Sequence, residues 1–378
     1  MKKNSIKPIR VLQVIGSMNR GGAETMIMNL YRNIDKSMIQ FDFLLSSKEN
    51  GQYEEEINKL GGRIYHIKKF NGLNPVSYYN ECKKFFKTHP EISIVHGHIG
   101  SSAAFYLKAA KKYGKYTIAH SHNSKSYLSI RSIVFSMYSY PTRKIADYLF
   151  GCSTEAGIAR FGKKAVNSSV YSNFNNGINL NDFYFNDAVR INMKKELHIT
   201  EDSIVVGTVG RITEQKNPDK ILDIFENLVK IYSNVYCLWI GTGPDEDRIK
   251  SIINSKGLSD KVFLLGVRSD VHNVLQAFDS FVFPSLWEGL PVTIIEAQAA
   301  GLPIVISDKV SKEVGITPLV FWLNVDDNSQ KWAEMCFEKS CEFLDKRNSY
   351  KELVKNSGYD IHETSNWLMK FYLSKIDE

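Results

Sequence analysis

Glu288 and Glu296 stand eight residues apart in PSLWEGLPVTIIEAQAAGLPIV (284–305). Glu288 reads as a loop residue after the apolar run Ser280–Ser285, and Gly289 behind it lets the carboxylate project past a strand's C-terminal end. Glu296 falls inside a largely apolar helical stretch, where a surface glutamate has no evident use. Pro291 suits the first position of that helix, and Gly301 suits its end. The free N–H groups of Val292 and Thr293 then form a natural cradle for phosphate. Arg211 and Lys216, five apart in RITEQKNP (211–218), are two cations able to neutralise a departing diphosphate. A diphosphate at a helix N-terminus with a carboxylate near a ribose describes a nucleotide site. The plain alternative is two solvated loop cations, a solvated loop acid and a helix-surface glutamate.

The first half of the chain offers two further groups. Gly21 and Gly22 end the loop GSMNRGG (16–22) and let backbone approach a ligand, although the pattern is not G-x-G-x-x-G and a tight strand–helix turn would also account for it. His96 and His98 (HGH) and His120 and His122 (HSHN) fall near the ends of two predicted strands. Residues two apart on a strand share a face, so two such pairs would bind zinc if the strand ends were adjacent and a carboxylate or water completed the site.

These residues need elements to hold them. Arg10–Ile15, Phe41–Leu45, Arg63–Lys68, Ile92–His96, Tyr116–Ala119 and Tyr148–Ser153 read as strands, with helical spacing over Ala23–Arg32, Tyr53–Leu60, Pro75–Thr88 and Ser101–Lys112. A second series places strands at Ser203–Gly210, Val235–Ile240, Val262–Gly266, Ser280–Ser285, Leu302–Ser307 and Val320–Leu323, with a closing helix over about Ile361–Ser374. Alternating β and α predicts parallel sheets covered on both faces, with ligands outside the strands' carboxyl ends. Asn173–Asn181 (NFNNGINLN) is dense in turn formers and reads as the break between two domains.

The spacing Glu288-x7-Glu296 within EGLP…EA…AAGLPIV resembles the E-x7-E motif of retaining glycosyltransferases of the GT-B fold, and most closely glycosyltransferase family 4, the group with exopolysaccharide and capsule enzymes. GRITEQKNP resembles that family's G-R…K-[GN] motif, RGGAE its GGAE loop, HSHN its histidine segment and NGIN its interdomain segment, where the family often has Asp in place of Asn179. The resemblance covers nearly the whole chain. It implies an α/β, GT-B architecture of two Rossmann-like β/α/β domains facing a cleft: an acceptor-side domain over 1–185, joined by a returning helix at about 361–378, and a donor-binding domain over 186–360. It assigns Arg211 and Lys216 to the nucleotide diphosphate, Glu296 to the ribose and Glu288 to donor-sugar hydroxyls, with Gly289, Leu290, Val292 and Thr293 around the donor. Gly21 and Gly22 become donor-side residues supported by Glu24, and His120 (His122 second) a contact near the reaction centre. Arg268 falls in a loop expected near the base. The family retains anomeric configuration by a same-face route in which the leaving phosphate takes the acceptor's proton, and needs no cofactor and no chelated metal. Asp245-Glu246-Asp247 mimics the D-x-D metal motif of the other large transferase fold, but it opens a helix, where acids favour the dipole.

The resemblance further implies a UDP-sugar donor and a lipid-linked saccharide acceptor, with the protein cytoplasmic and peripheral on the inner membrane surface. The charge suits this: residues 1–185 hold 26 Lys and Arg against 12 Asp and Glu, or +14, whereas the remainder balances to −7. Nucleic acid is not expected, because the basic residues are spread over several helices and no nucleic-acid module is present. Five scattered cysteines without C-x-x-C fit a reducing compartment, and no apolar run reaches a membrane span. The basic start Met1–Arg10 leads into a strand pattern, so no signal peptide is expected. Tyr127–Tyr140 reads as a half-buried helix or an acceptor- or membrane-facing surface. Two rival readings are a nucleotide-sugar epimerase on the same fold and a non-catalytic partner subunit of a transferase.

Overall fold

The structure, a computed structural model, describes residues 7–47, 51–122 and 130–376, of which 130–133 by backbone alone. It divides into two compact units, residues 1–177 with 360–378 and residues 178–359. The first changeover thus falls at Gly177, inside the turn-rich Asn173–Asn181 stretch, rather than at 185.

The first unit holds seven parallel strands: β1 Ile9–Ile15, β2 Ile39–Leu45, β3 Ile64–His66, β4 Ile92–Gly97, β5 Tyr116–Ser121, β6 Tyr148–Gly151 and β7 Tyr171–Asn173. Their order is β3-β2-β1-β4-β5-β6-β7. The inner strands are apolar on both faces, as Val11, Leu12 and Val14 of β1 and Phe41, Phe43, Leu44 and Leu45 of β2 illustrate, because helices cover both sides. The chain starts in mid-sheet, builds outward through β2 and β3, then returns to the other side of β1 with β4. Loops after β1 and β4 therefore diverge, and a crevice for ligands opens at that reversal. Asp360 caps the Ile361–Ser374 helix, its Oδ1 accepting from His362 N and Glu363 N at 2.8 and 3.2 Å. Leu368 and Tyr372 of that helix are wholly buried in this unit's core, Tyr372 lying edge-on to Phe41.

The second unit holds six parallel strands: β8 Ile204–Val209, β9 Val235–Ile240, β10 Val262–Leu264, β11 Ser280–Phe283, β12 Ile304–Ser307 and β13 Val320–Leu323. Their order, β10-β9-β8-β11-β12-β13, repeats the design, with the reversal between β8 and β11. The helix after β11 runs Val292–Ala299, with Pro291 one place before it. It ends where Gly301, at φ +69°, lets its own N–H reach Gln298 O and that of Leu302 reach Ala297 O, both at 3.0 Å.

Several strands stop one or more residues short of the sequence expectation, while β4 and β5 run on to take in Gly97 and Ser121, so His120, like His96, is a strand residue. Of the Tyr127–Tyr140 stretch, 127–129 lie outside the described residues, and Ile130–Ser139 is a helix that buries Ser139 while leaving Met137 71% exposed. No helix among the described residues is long and apolar enough to cross a membrane.

Candidate active site

In the second unit the loops after β8 and β11 meet across the strand-order reversal. Leu286 N donates to Gln215 O at 2.9 Å, and Gln215 Nε2 donates to Trp287 O at 2.9 Å and Glu288 Oε2 at 3.1 Å. Lys216 Nζ meets Glu288 Oε1 at 2.6 Å while lying 4.2 Å from the centre of the Phe283 ring. Their side chains are only 16% and 9% exposed, so the pair is a partly desolvated ion pair, stronger than a surface one. Asn217 takes a left-handed backbone (φ 57°, ψ 61°) and its Nδ2 donates to Pro284 O at 3.3 Å. Pro218 then opens the Pro218–Ile231 helix.

Arg211, at the start of the same loop, is exposed, and its guanidinium makes no hydrogen bond or ion pair among the described residues. It is a free cation held beside a paired one. Gly289 is half-buried and Leu290 buried, carrying the chain from Glu288 to the helix. At that helix's start Val292 and Thr293 have first-turn N–H groups with no partner one turn back. Thr293 Oγ1 and Ser285 Oγ are buried without a hydrogen-bond partner among the described residues. Glu296 shares a helix face with Thr293, three residues away. Its half-buried carboxyl makes no hydrogen bond or ion pair among the described residues, and burial pushes its pKa up to about 7. One sheet edge thus gathers a free cation, an ion pair, a helix N-terminus and a carboxyl group, a constellation suited to a nucleoside diphosphate.

In the first unit Gly21 precedes the Gly22–Asn33 helix, and Glu24 folds back on it: a Cβ on Gly21 would lie 2.4 Å from Glu24 Oε2. Burial raises the Glu24 pKa. His120 is buried and His122 half-buried, their ring centres 4.1 Å apart. His96 of the neighbouring strand β4 and His98 just past its end stack beside them.

Residues 189–336 match the family described as Glycosyl transferases group 1. A putative glycosyltransferase, EpsF of Bacillus subtilis, is 33% identical over 371 residues, 96% of either chain. The chain belongs to the group 1 glycosyltransferases. A second relative of this glycosyltransferase, the UDP-Gal:alpha-D-GlcNAc-diphosphoundecaprenol alpha-1,3-galactosyltransferase of Escherichia coli, is 28% identical over 290 residues, 71% of this chain and 72% of that one. Among solved structures, Anabaena HepE in complex with UDP aligns with a TM-score of 0.77 at 16% identity, over 97% of this chain and 100% of that one. Two parallel α/β units with these neighbours are the GT-B fold.

One candidate of the glycosyltransferase is otherwise occupied. Arg268 donates to Asp270 at 2.6 and 2.8 Å and to Glu196 at 3.0 Å, so its guanidinium is committed to its own carboxylates instead of standing free for a base. The acids at 245–247 behave as helix-opening residues, Glu246 pairing with Lys250 one turn on at 2.6 Å. Gln215 and Asn217, which stitch the two loops together, had escaped the sequence reading. Their signal was local: Asn tolerates the left-handed backbone, and Pro218 after it marks a helix start.

Proposed function

We propose that this glycosyltransferase is a retaining, family 4 enzyme that moves a hexose or N-acetylhexosamine from a UDP-sugar to a lipid-linked saccharide, in the assembly of an exopolysaccharide, capsule or other cell-surface glycan at the cytoplasmic face of the membrane. The observation that carries it is the Lys216–Glu288 ion pair at the strand-order reversal with Arg211 free beside it. Arg211 and Lys216 neutralise the diphosphate as the glycosidic bond breaks, where preorganised charge contributes most. The N–H groups of Val292 and Thr293 hold the phosphates and Glu296 accepts from the ribose hydroxyls. Glu288, held by Lys216 and Gln215, accepts from hydroxyls of the donor sugar. His120 contacts the sugar near the reacting carbon. The leaving phosphate takes the acceptor's proton on the same face, so no protein base, metal or cofactor enters the reaction.

The UDP bound by HepE and the UDP-galactose and diphosphoundecaprenol acceptor named for the Escherichia coli relative support the donor and acceptor classes. A solvent-facing group in the first unit supports the membrane side. Leu73, Val76, Met137 and Tyr140 are 91, 71, 71 and 64% exposed, with Arg143 over the Tyr140 ring at 3.5 Å. The test is UDP release from a panel of UDP-sugars and GDP-mannose, with and without membrane extract, for the wild type and Glu288→Ala. The expected result is release from one UDP-sugar, reduced on the order of 10²-fold in the variant. Release from no donor, with UDP binding intact, would return the protein to the class of silent partner subunits.

A further inference from the structure

Four imidazoles gather where β4 and β5 end. The two strands pair in parallel, His96 beside Ile118 and Gly97 beside Ala119, which brings His98 level with His120. Ring centres of His98 lie 5.4 Å from His120 and 5.1 Å from His122, and His96 lies 5.3 Å from His120. The adjacency that two H-x-H pairs need in order to share an ion is therefore met.

The hydrogen bonds around the group set where its lone pairs point. Gln13 Oε1 can only accept, so the 2.9 Å contact to His98 Nε2 puts that ring's proton on Nε2 and leaves Nδ1 with a lone pair. His122 Nε2 donates to that Nδ1 at 2.8 Å. The Tyr372 hydroxyl engages His96 Nδ1 at 2.6 Å, which leaves Nε2 as the uncommitted nitrogen of that ring among the described residues. Among the described residues, His120 has no partner on either ring nitrogen although it is only 4% exposed, and His96 Nε2 has none although His96 is 1% exposed. A buried polar atom left without a partner opposes folding, so a fold that keeps such imidazole nitrogens together needs something to satisfy them. A ligand atom from each of His96, His98 and His120 lies within 4.8 Å of the others.

We propose that these strand ends form a binding site for one late first-row transition-metal dication, zinc in the first instance, ligated by His96, His98 and His120 with His122 beside them. An all-imidazole set selects zinc, nickel or copper over magnesium and calcium, which demand oxygen. Zn–N bonds of about 2.0–2.1 Å place tetrahedral ligand atoms roughly 3.3 Å apart, so side-chain rotation must draw the nitrogens in by about 1.5 Å at most. Gln13 and Tyr372 play the orienting part that a hydrogen-bonded second nitrogen plays in histidine metal sites. The site lies within the first unit and shares His120 with the proposed sugar contact, whereas Arg211, Lys216, Glu288 and Glu296 belong to the other unit.

The test reads binding rather than turnover. The purified full chain, stripped with a chelator, is titrated with Zn²⁺ against a chromophoric competitor, and with Co²⁺ while its visible spectrum is followed. One Zn²⁺ per chain is expected, with an intense tetrahedral-type Co²⁺ spectrum and no response to Mg²⁺. His98→Gln should lose that site, and Tyr372→Phe, which keeps every ligand, should weaken it about tenfold. Absence of stoichiometric binding, or binding unchanged in His98→Gln, would overturn the proposal, the latter by placing the ion on other histidines. Should His98→Gln fail to fold by circular dichroism, the wild-type Co²⁺ spectrum decides: weak octahedral bands alone would equally refute it.

Discussion

A carboxylate withdrawn from water with no donor beside it opposes folding, and Glu296 is in that position. Its pKa is raised by burial from 4.5 to about 7. Between those values the unfolded chain has lost the proton that the folded chain keeps, so stability falls as pH rises through the window and levels off above about 7, by about 3 kcal/mol at most. Glu296→Gln removes the charge and keeps the shape. It should raise the unfolding free energy from urea titration at pH 8 by roughly 1–3 kcal/mol, with a higher midpoint, and leave both near wild type at pH 4.5. The same variant should bind UDP-glucose about tenfold more weakly, because an amide accepts less well from ribose hydroxyls than a carboxylate. Equal midpoint shifts at both pH values would refute the desolvated-carboxylate argument. Glu296 was visible in the sequence as an acid in an apolar helix, whereas its partner-free state was not. The reverse holds for Lys216 and Glu288: each was legible by motif, but 72 residues separate them, and only the meeting of the β8 and β11 loops makes them an ion pair. The ion pairing of Arg268 was equally hidden, since the Glu196 that helps occupy it is just as remote in sequence.

Strand ends aim these side chains, and a glycine fixes one of those ends. Gly210 N donates to Ile240 O at 2.9 Å and Ile212 N to Thr242 O at 3.1 Å, which ties the loop bearing Arg211 to the end of β9. Gly241, at φ +135°, sits so close that a Cβ would lie 2.2 Å from Gly210 O, a backbone atom that cannot swing away. Gly241→Ala should therefore cost at least about 2 kcal/mol and displace Arg211, weakening UDP binding more than tenfold. Gly257→Ala is the control. Its φ of +66° carries backbone strain of about 1 kcal/mol, but nothing lies within 4 Å of its Cβ, so UDP affinity should not change. Equal losses of UDP affinity in the two variants, by calorimetry, would mean that this contact does not position the loop. Elements of this kind were legible wherever an apolar block was bounded by clear stops: Val235–Ile240, Val320–Leu323 and Ile361–Ser374 fall where the pattern puts them. β7, only three residues long, merges into the turn-rich stretch after it. The Asp187–Glu196 helix is largely polar, and its one plain marker is Asn186, whose side chain accepts from Val189 N at 3.3 Å. Adjacency of β4 and β5, which makes four histidines one cluster, is a property of sheet order that no local pattern encodes.

At the scale of the molecule, the excess positive charge of the first 185 residues has to be weighed against ordinary solvated helix faces. What tips the balance is its company. The Pro75–Thr88 helix carries Lys83, Lys84 and Lys87, and the segment just before it, with the helix's first turn, exposes Leu73 and Val76. Phe70 packs its ring 5.3 Å from Tyr138, so this segment and the helix bearing Met137 belong to one neighbourhood of the first unit. Exposed apolar side chains next to lysines are what an interfacial contact with anionic lipid requires, apolar groups entering the headgroup boundary while cations face phosphate. The protein should thus sediment with vesicles containing anionic phospholipid at low salt and lose most of that binding near 0.5 M salt, where the Debye length shrinks to about 4 Å. Replacing Leu73, Val76 and Met137 together by Ser should weaken the binding further at every salt concentration without affecting UDP affinity, since these residues lie in the unit that does not carry Arg211, Lys216 and Glu296. Binding to neutral and anionic vesicles alike, indifferent to salt, would refute the electrostatic part of the argument. A triple variant that binds as well as wild type would refute the apolar part, and the basic first half would then be no more than a solvated surface.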